Sequence, residues 1–251
     1  AGSAVLLFMY RQVILAKAQA MLAASKAGEG AEPAKAPTGD TSAKHLQQNA
    51  VSRLNDFSDR LRNTSSVSLS AQNLGEEGTA YVVEALAFNA GCLSLDLSQN
   101  GLGKMAVAAL CQVIPTSAVQ TLVLNTNSVG DEGAELLAKT LSGNRLLQSL
   151  DLGQNGIGDK GAAALAEGLR LNTTLTKLEL AGNAIDVEGT KALAQVLGDN
   201  TSIRTVNLGD NYVGTQGALA LAQALIGNTT IKELYLRGNE MGDEGVVAIC
   251  D

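Results

Sequence analysis

Apolar and polar residues alternate in short bursts along most of this chain, and the bursts recur at a fixed interval. Leu95-Asp96-Leu97, Leu122-Val123-Leu124, Leu150-Asp151-Leu152, Leu178-Glu179-Leu180, Val206-Asn207-Leu208 and Leu234-Tyr235-Leu236 each set one central residue between two apolar ones. An asparagine follows each burst, at Asn100, Asn127, Asn155, Asn183, Asn211 and Asn239, with spacings of 27 and then 28 residues. An earlier unit, Val67-Ser68-Leu69, keeps the register but has Gln72 in the asparagine position. Period-two alternation predicts a short strand with its apolar pair inward and its central residue facing out. The second half of each unit changes to helical spacing, as in Ala163, Leu165, Ala166 and Leu169, which predicts an amphipathic helix. Seven units are counted, and a period of this length marks a solenoid, in which no unit buries its apolar face alone.

The residues between strand and helix carry turn chemistry. Each asparagine side chain is expected to hydrogen-bond the backbone where the chain turns inward. Gly130-Asp131, Gly158-Asp159, Gly214-Thr215 and Gly242-Asp243 are expected to open and cap the helices that follow them. Gly133, Gly161, Gly189, Gly217 and Gly245, with Ala106 in the same place, leave room for a close neighbour. Two units depart from the pattern: the second is one residue short and contains Pro115, so its return to the next strand is expected to differ. The seventh reaches Asp251 part-way through its helix; an open solenoid end needs a polar cap, so a longer chain or a partner is expected to cover it.

The repeated Leu-x-Leu…Asn units resemble the leucine-rich repeats of ribonuclease inhibitor, of NOD-like receptors and of the Ran GTPase-activating protein, over about residues 64–251. The resemblance implies an α/β leucine-rich repeat horseshoe of 28-residue strand-helix units, and a non-enzymatic role in protein–protein interaction. It also leaves two alternatives open, a regulator of a small GTPase and the recognition module of an innate-immune-like sensor.

The first quarter reads differently. Residues 1–25 form an apolar, helix-favouring arm, with Val5, Leu6, Leu7, Phe8 and Tyr10 as candidate anchor residues and Arg11 and Lys17 beside them. Two cations inside a bilayer cost about 2.5–3.5 kcal/mol each, so the arm either ends a span with Arg11 and Lys17 at the interface or docks on a partner or on the solenoid as a soluble helix. Residues 26–43 hold two of the three prolines and almost no large apolar side chain, the composition of a flexible linker. Residues 44–63 regain a helical stripe through Leu46, Val51, Leu54, Phe57 and Leu61, expected as the helix that caps the first repeat of residues 64–251.

Charge sharpens this division. The net charge is −7 over 251 residues; residues 1–62 hold 8 Lys+Arg against 5 Asp+Glu, and the remainder 10 against 20. An acidic body repels phosphate backbones, so nucleic acid is not an expected partner, whereas the basic arm suits an anionic membrane face or an acidic protein. The hydrophobic fraction is 45% but aromatics are only 3%, with no Trp, a composition for thin, closely spaced elements. Cys92, Cys111 and Cys250 are too few and too scattered for a disulfide framework or a zinc site, and a reduced, intracellular setting is expected, with a chloroplast or mitochondrial membrane complex as the candidate location.

No catalytic, metal or cofactor chemistry stands out. His45 is the single histidine. Gly156-Ile157-Gly158-Asp159-Lys160-Gly161 matches a dinucleotide fingerprint, but its glycines are repeat positions and no βαβ unit of suitable size surrounds them. Sequons at Asn63, Asn172, Asn200 and Asn228 include three at the repeat interval, where Asn and Thr serve a turn. The expected protein-binding residues are therefore those of the strand face, Asp96, Val123, Asp151, Glu179, Asn207, Tyr235 and Arg237, with Tyr212 nearby. Only Tyr235, Arg237 and Tyr212 of that set are of the residue types that concentrate interface energy. The face is otherwise small and polar, which shifts expectation toward docking through a solenoid end, the helices or the N-terminal arm on a multi-subunit complex.

Overall fold

The computed structural model describes residues 64–87 and 91–250. The arm, linker and capping helix expected at 1–25, 26–43 and 44–63 lie outside these residues, as do the anchor candidates Val5, Leu6, Leu7, Phe8, Tyr10, Arg11 and Lys17. Along the described chain, strands and helices alternate: β1 (Ser66–Ser68), α1 (Gly75–Ala87), β2 (Ser94–Asp96), α2 (Lys104–Val113), β3 (Thr121–Val123), α3 (Gly130–Gly143) and β4 (Ser149–Asp151). They continue as α4 (Asp159–Arg170), β5 (Lys177–Glu179), α5 (Val187–Asp199), β6 (Thr205–Asn207), α6 (Gly214–Leu225), β7 (Glu233–Tyr235) and α7 (Gly242–Cys250).

The seven described strands form one parallel sheet in sequence order, with Leu95, Leu122, Leu150, Leu178, Val206 and Leu234 in line. Each helix packs on the helix before and after it. Between the two layers lies a single continuous apolar core in which the strand leucines from Leu95 to Leu180 are fully buried. With strands only three residues long, the sheet is held by its succession of neighbours, each strand supplying acceptors for the last.

The asparagines act between repeats. Asn183 Nδ2 donates to Leu180 O of its own repeat and to Leu152 O of the preceding one, while its Oδ1 accepts from Asn155 N and Ile157 N, also of the preceding repeat. Asn100, Asn127, Asn155, Asn211 and Asn239 bridge back to the repeat before in the same way. The residue before each of these asparagines has positive φ, at Gln99, Thr126, Gln154, Gly182, Asp210 and Gly238. Four of the six are not glycine, and a left-handed L-residue costs about 1–2 kcal/mol, a cost offset by the bonds the inward turn makes possible.

Helix capping also crosses repeats, which corrects the expectation that Asp131 and Asp159 cap their own helices. Helices α3 and α4 have no side-chain cap from their own N-terminal residues. Asp131 Oδ1 instead accepts from Gly158 N and Gly161 N, at 2.7 and 3.0 Å, at the start of α4. Asp159 Oδ1 accepts from Asp186 N and Gly189 N, at 2.8 and 2.9 Å, at the start of α5. The carboxylate thus satisfies orphan amides of the following helix. Gly161 is a glycine for this reason, since a Cβ there would lie 2.7 Å from Asp131 Oδ1.

The short second unit behaves as its sequence suggests. Pro115 ends α2, and a 3₁₀ turn at Ile114–Thr116 follows before Ser117 N bonds back to Val113 O. A 3₁₀ turn rises about 2.0 Å per residue against about 1.5 Å in an α-helix, so fewer residues span the return to β3.

Candidate functional site

Strand geometry puts the central strand residues on the concave side of the sheet, half-buried from Asp96 through Asn207 and exposed at Ser68 and Tyr235. Much of this face is bonded to itself. Asp96 Oδ1 accepts from Ser98 N at 2.9 Å and Ser98 Oγ at 2.6 Å, and Asp96 Oδ2 accepts from Ser68 Oγ at 2.8 Å. Partial burial pushes the Asp96 carboxyl up, but the hydrogen bonds from Ser98 and Ser68 outweigh it and hold its pKa below the usual value. Asp151 and Asn207 repeat the motif, each accepting at 2.9 Å from the backbone amide two residues on, Gly153 N and Gly209 N. These three side chains hold the strand-to-turn junction as well as facing the hollow. The Asx-x-Ser/Gly spacing was the sequence signal for that role.

Glu179 pairs with Lys177 at 3.0 Å, and hydrogen bonding to Glu179, opposed by a smaller desolvation effect, raises the Lys177 pKa. Glu233 accepts from Thr205 Oγ1 at 3.1 Å and from the Tyr235 hydroxyl at 3.4 Å. Val123 is half-buried and offers only a methyl surface. Of the candidate binding residues, the structure leaves Tyr212 (62% exposed), Tyr235 (50%) and Arg237 open. Tyr235 and Arg237 project from alternate positions on the same side of the last repeat, and Tyr212 sits in the turn of the repeat before, after Asn211. The open side chains of the set thus gather at the C-terminal third, while the acidic candidates nearer the start are engaged within the chain.

Elsewhere the surface offers less. A shallow depression on the helical side, lined by Cys111, Pro115, Leu136, Lys139 and Thr140, opens beside the irregular second unit. Burial pushes the thiols of Cys92 and Cys111 up, opposed by smaller hydrogen bonds from Ser94 and Thr140. Cys92 is buried, Cys111 is half-buried and Cys250, in the last turn of α7, is exposed. Asn172 and Asn200 are buried, and their Nδ2 atoms donate to Leu141 O and Leu169 O of earlier repeats, so the amide nitrogen of each of these two sequons is already committed. Among the described residues, no three His, Cys, Asp or Glu side chains come together to hold a metal ion, and no helix is long and apolar enough to cross a membrane.

Set beside known proteins, the chain matches a family described as Leucine Rich repeat at residues 119–138, 143–166, 171–194, 199–222 and 227–250. Each of these segments contains one strand and the first part of the helix that follows it. No curated protein matches the sequence. Among solved structures, leiomodin-1 actin-binding site 2 aligns over 69% of this chain and 86% of its own at 19% identity, with a TM-score of 0.46. The tropomodulin C-terminal domain of Caenorhabditis elegans aligns over 57% and 90% at 14% identity, with a TM-score of 0.49. A TLR13–ssRNA13 complex aligns over 72% of this chain and 34% of its own at 14% identity, with a TM-score of 0.39. At these identities none of the three says what this chain binds.

Proposed function

Because the chain is a leucine-rich repeat protein, we propose that it is a non-enzymatic protein-interaction scaffold, a structural or adaptor subunit docked on a larger complex. The observation that carries the reading is the division of the candidate face: a largely self-bonded concave surface, with its open Tyr and Arg candidates, Tyr212, Tyr235 and Arg237, in the C-terminal third. Truncation of Tyr or Arg side chains dominates interface energetics, whereas small polar groups already paired within one protein gain little by exchanging partners. The scaffold therefore docks through a limited region instead of wrapping one ligand in its hollow. The 28-residue strand-helix unit supports the ribonuclease-inhibitor type of repeat.

The basic, apolar segment at residues 1–25 supports a second point of attachment, in or on an organellar membrane complex. Native-gel mass spectrometry after carbonate extraction tests the whole reading. Comigration of the protein with a defined membrane complex, lost on deletion of residues 1–25, is the expected result. A freely soluble monomer under all conditions would overturn it.

A further inference from the structure

The seams between neighbouring helices are not alike. Between α3 and α4, Asp131 caps the next helix, Asn172 Nδ2 donates back to Leu141 O and Asn144 O, and Gly168 lies so close to its neighbour that a Cβ there would meet Ala138 O at 2.5 Å. Among the described residues, each of these ties is missing between α2 and α3. Lys104 stands in register with Asp131 and makes an exposed ion pair with Glu132 at 2.7 Å, a kind of pair that contributes little in water. Asn144, in register with Asn172, is 3% exposed, yet its Nδ2 donates to nothing among the described residues. The carbonyl in register with its acceptor, Ile114 O, instead accepts from Ser117 N and Ser117 Oγ at the 3₁₀ turn. Thr140 and Cys111 occupy the places of Gly168 and Ala138, and Cys111 is half-buried where Ala138 is buried. A Cβ at Gly133 would find Val107 Cγ2 at 3.7 Å, whereas one at Gly161 would meet Ala134 Cβ at 3.1 Å. The two helices therefore stand further apart here, and the depression lined by Cys111, Pro115, Leu136 and Thr140 lies between them.

The strand side of the same seam is whole. Leu97 N donates to Val123 O at 2.8 Å and Gln99 N to Asn125 O at 3.0 Å, and Asn127 bonds back to Leu97 O while accepting from Asn100 N and Leu102 N, as the asparagines of later repeats do. We infer that the α2–α3 seam is a one-sided hinge built into the solenoid: the strand ladder is its pivot, and its helical side opens more readily than the α3–α4 seam. Opening lets water reach the Asn144 amide, a buried donor whose lack of an acceptor costs stability while the seam is closed. No carboxylate cap or asparagine bridge has to break between the two helices for this to happen, and local openings are drawn from such weakly tied units. Swinging α2 away from α3 about the strands changes the curvature of the sheet between Asp96 and Val123. The distance from Ser68 and Asp96 to Tyr235 and Arg237 is then adjustable. Its use in spanning a partner rests on the scaffold reading above, whereas the opening is a property of the chain alone.

The test reads thiol labelling in the full chain at two positions in register. Val107 faces the α2–α3 seam and Ala134 the α3–α4 seam, and both are at 0% exposure, so a difference in rate reports opening and not resting exposure. Val107→Cys is expected to react with a small thiol reagent at least tenfold faster than Ala134→Cys in native buffer, each site read by peptide mass mapping, at a rate that low urea leaves unchanged. A second measurement needs no substitution: by NMR, the side-chain amide of Asn144 is expected to exchange with solvent at least tenfold faster than that of the equally buried Asn172. Backbone exchange at Leu97 and Gln99 is expected to stay as slow as at Leu124 and Thr126. Equal labelling at the two cysteines, equal exchange of the two asparagines, or labelling that rises with urea as global unfolding does would overturn the hinge. Backbone exchange at Leu97 and Gln99 as fast as the labelling would overturn it too, because the first two repeats would then part from the third altogether. The scaffold reading is judged separately by comigration: its failure there would leave the labelling result standing.

Discussion

The fifth and seventh repeats are built on one sequence pattern, yet they are physically different objects. In the fifth, Leu178 and Leu193 are fully buried, the strand amides are bonded on both sides and Asp159 of the preceding repeat caps the helix. In the seventh, the equivalent Leu234 and Ile249 are half-buried, and Leu236 N and Gly238 N have no acceptor among the described residues. The same residues in the same register therefore acquire burial and hydrogen-bond partners from the repeat that follows, as expected of a one-dimensional array whose stability is a sum of repeat and neighbour terms.

The comparison can be broken most forcefully in the core. Leu178→Ala is expected to cost about 2–5 kcal/mol, the range for truncating a buried leucine, and Leu234→Ala less than half as much, both read from urea midpoints. Equal losses would mean that the seventh repeat is as closed as the fifth.

Next in size is the asparagine ladder. Asn183→Ala leaves Asn155 N, Ile157 N and Leu152 O without their partner, and at about 1–3 kcal/mol per buried unsatisfied group it should cost about 3 kcal/mol or more. Asn239→Ala should cost a similar amount in spite of its terminal position, because Asn239 serves Val213 N and Leu208 O of the sixth repeat. A much smaller loss at Asn239 would show that the ladder does not run backward along the chain.

The carboxylate caps have a smaller effect. Asp159→Ala should destabilise by about 1 kcal/mol, the ordinary value of a lost helix cap, and hydrogen exchange at Asp186 and Gly189 should rise with it.

The smallest effect is on the concave face. The folded pKa of Asp96 is depressed, so its contribution is complete above the unfolded carboxyl value of about 3.9 and is lost as pH falls through the folded value. Ser98→Ala removes one bond to the carboxylate, brings the folded value closer to the unfolded one and should flatten the acid limb of a stability–pH curve. An unchanged limb would mean that Ser98 Oγ does not stabilise the charged form.

How much of this was legible in advance can be judged from particular residues. The strand leucines, the asparagine turns and the altered return at Pro115 all follow from spacing, because period-two and helical alternation are local properties of the chain. Asp131 and Asp159 were recognisable as caps but were assigned to the wrong helix, since a helix-start carboxylate has the same sequence whichever helix it serves. Asp96, Asp151 and Asn207 looked like free binding groups, and their bonds to amides two residues on became visible only with the strand-to-turn geometry.

The sequence by itself determined the repeat, its length, the alternation of strand and helix and the inward asparagines, because each of these rests on contacts within one unit or on a pattern shared by all. Only the tertiary structure decided which helix Asp131 and Asp159 cap and which concave side chains are already bonded. These depend on how one unit is displaced and rotated against the next, a quantity that the identity of no single residue encodes and that emerges when successive repeats bury their apolar faces together.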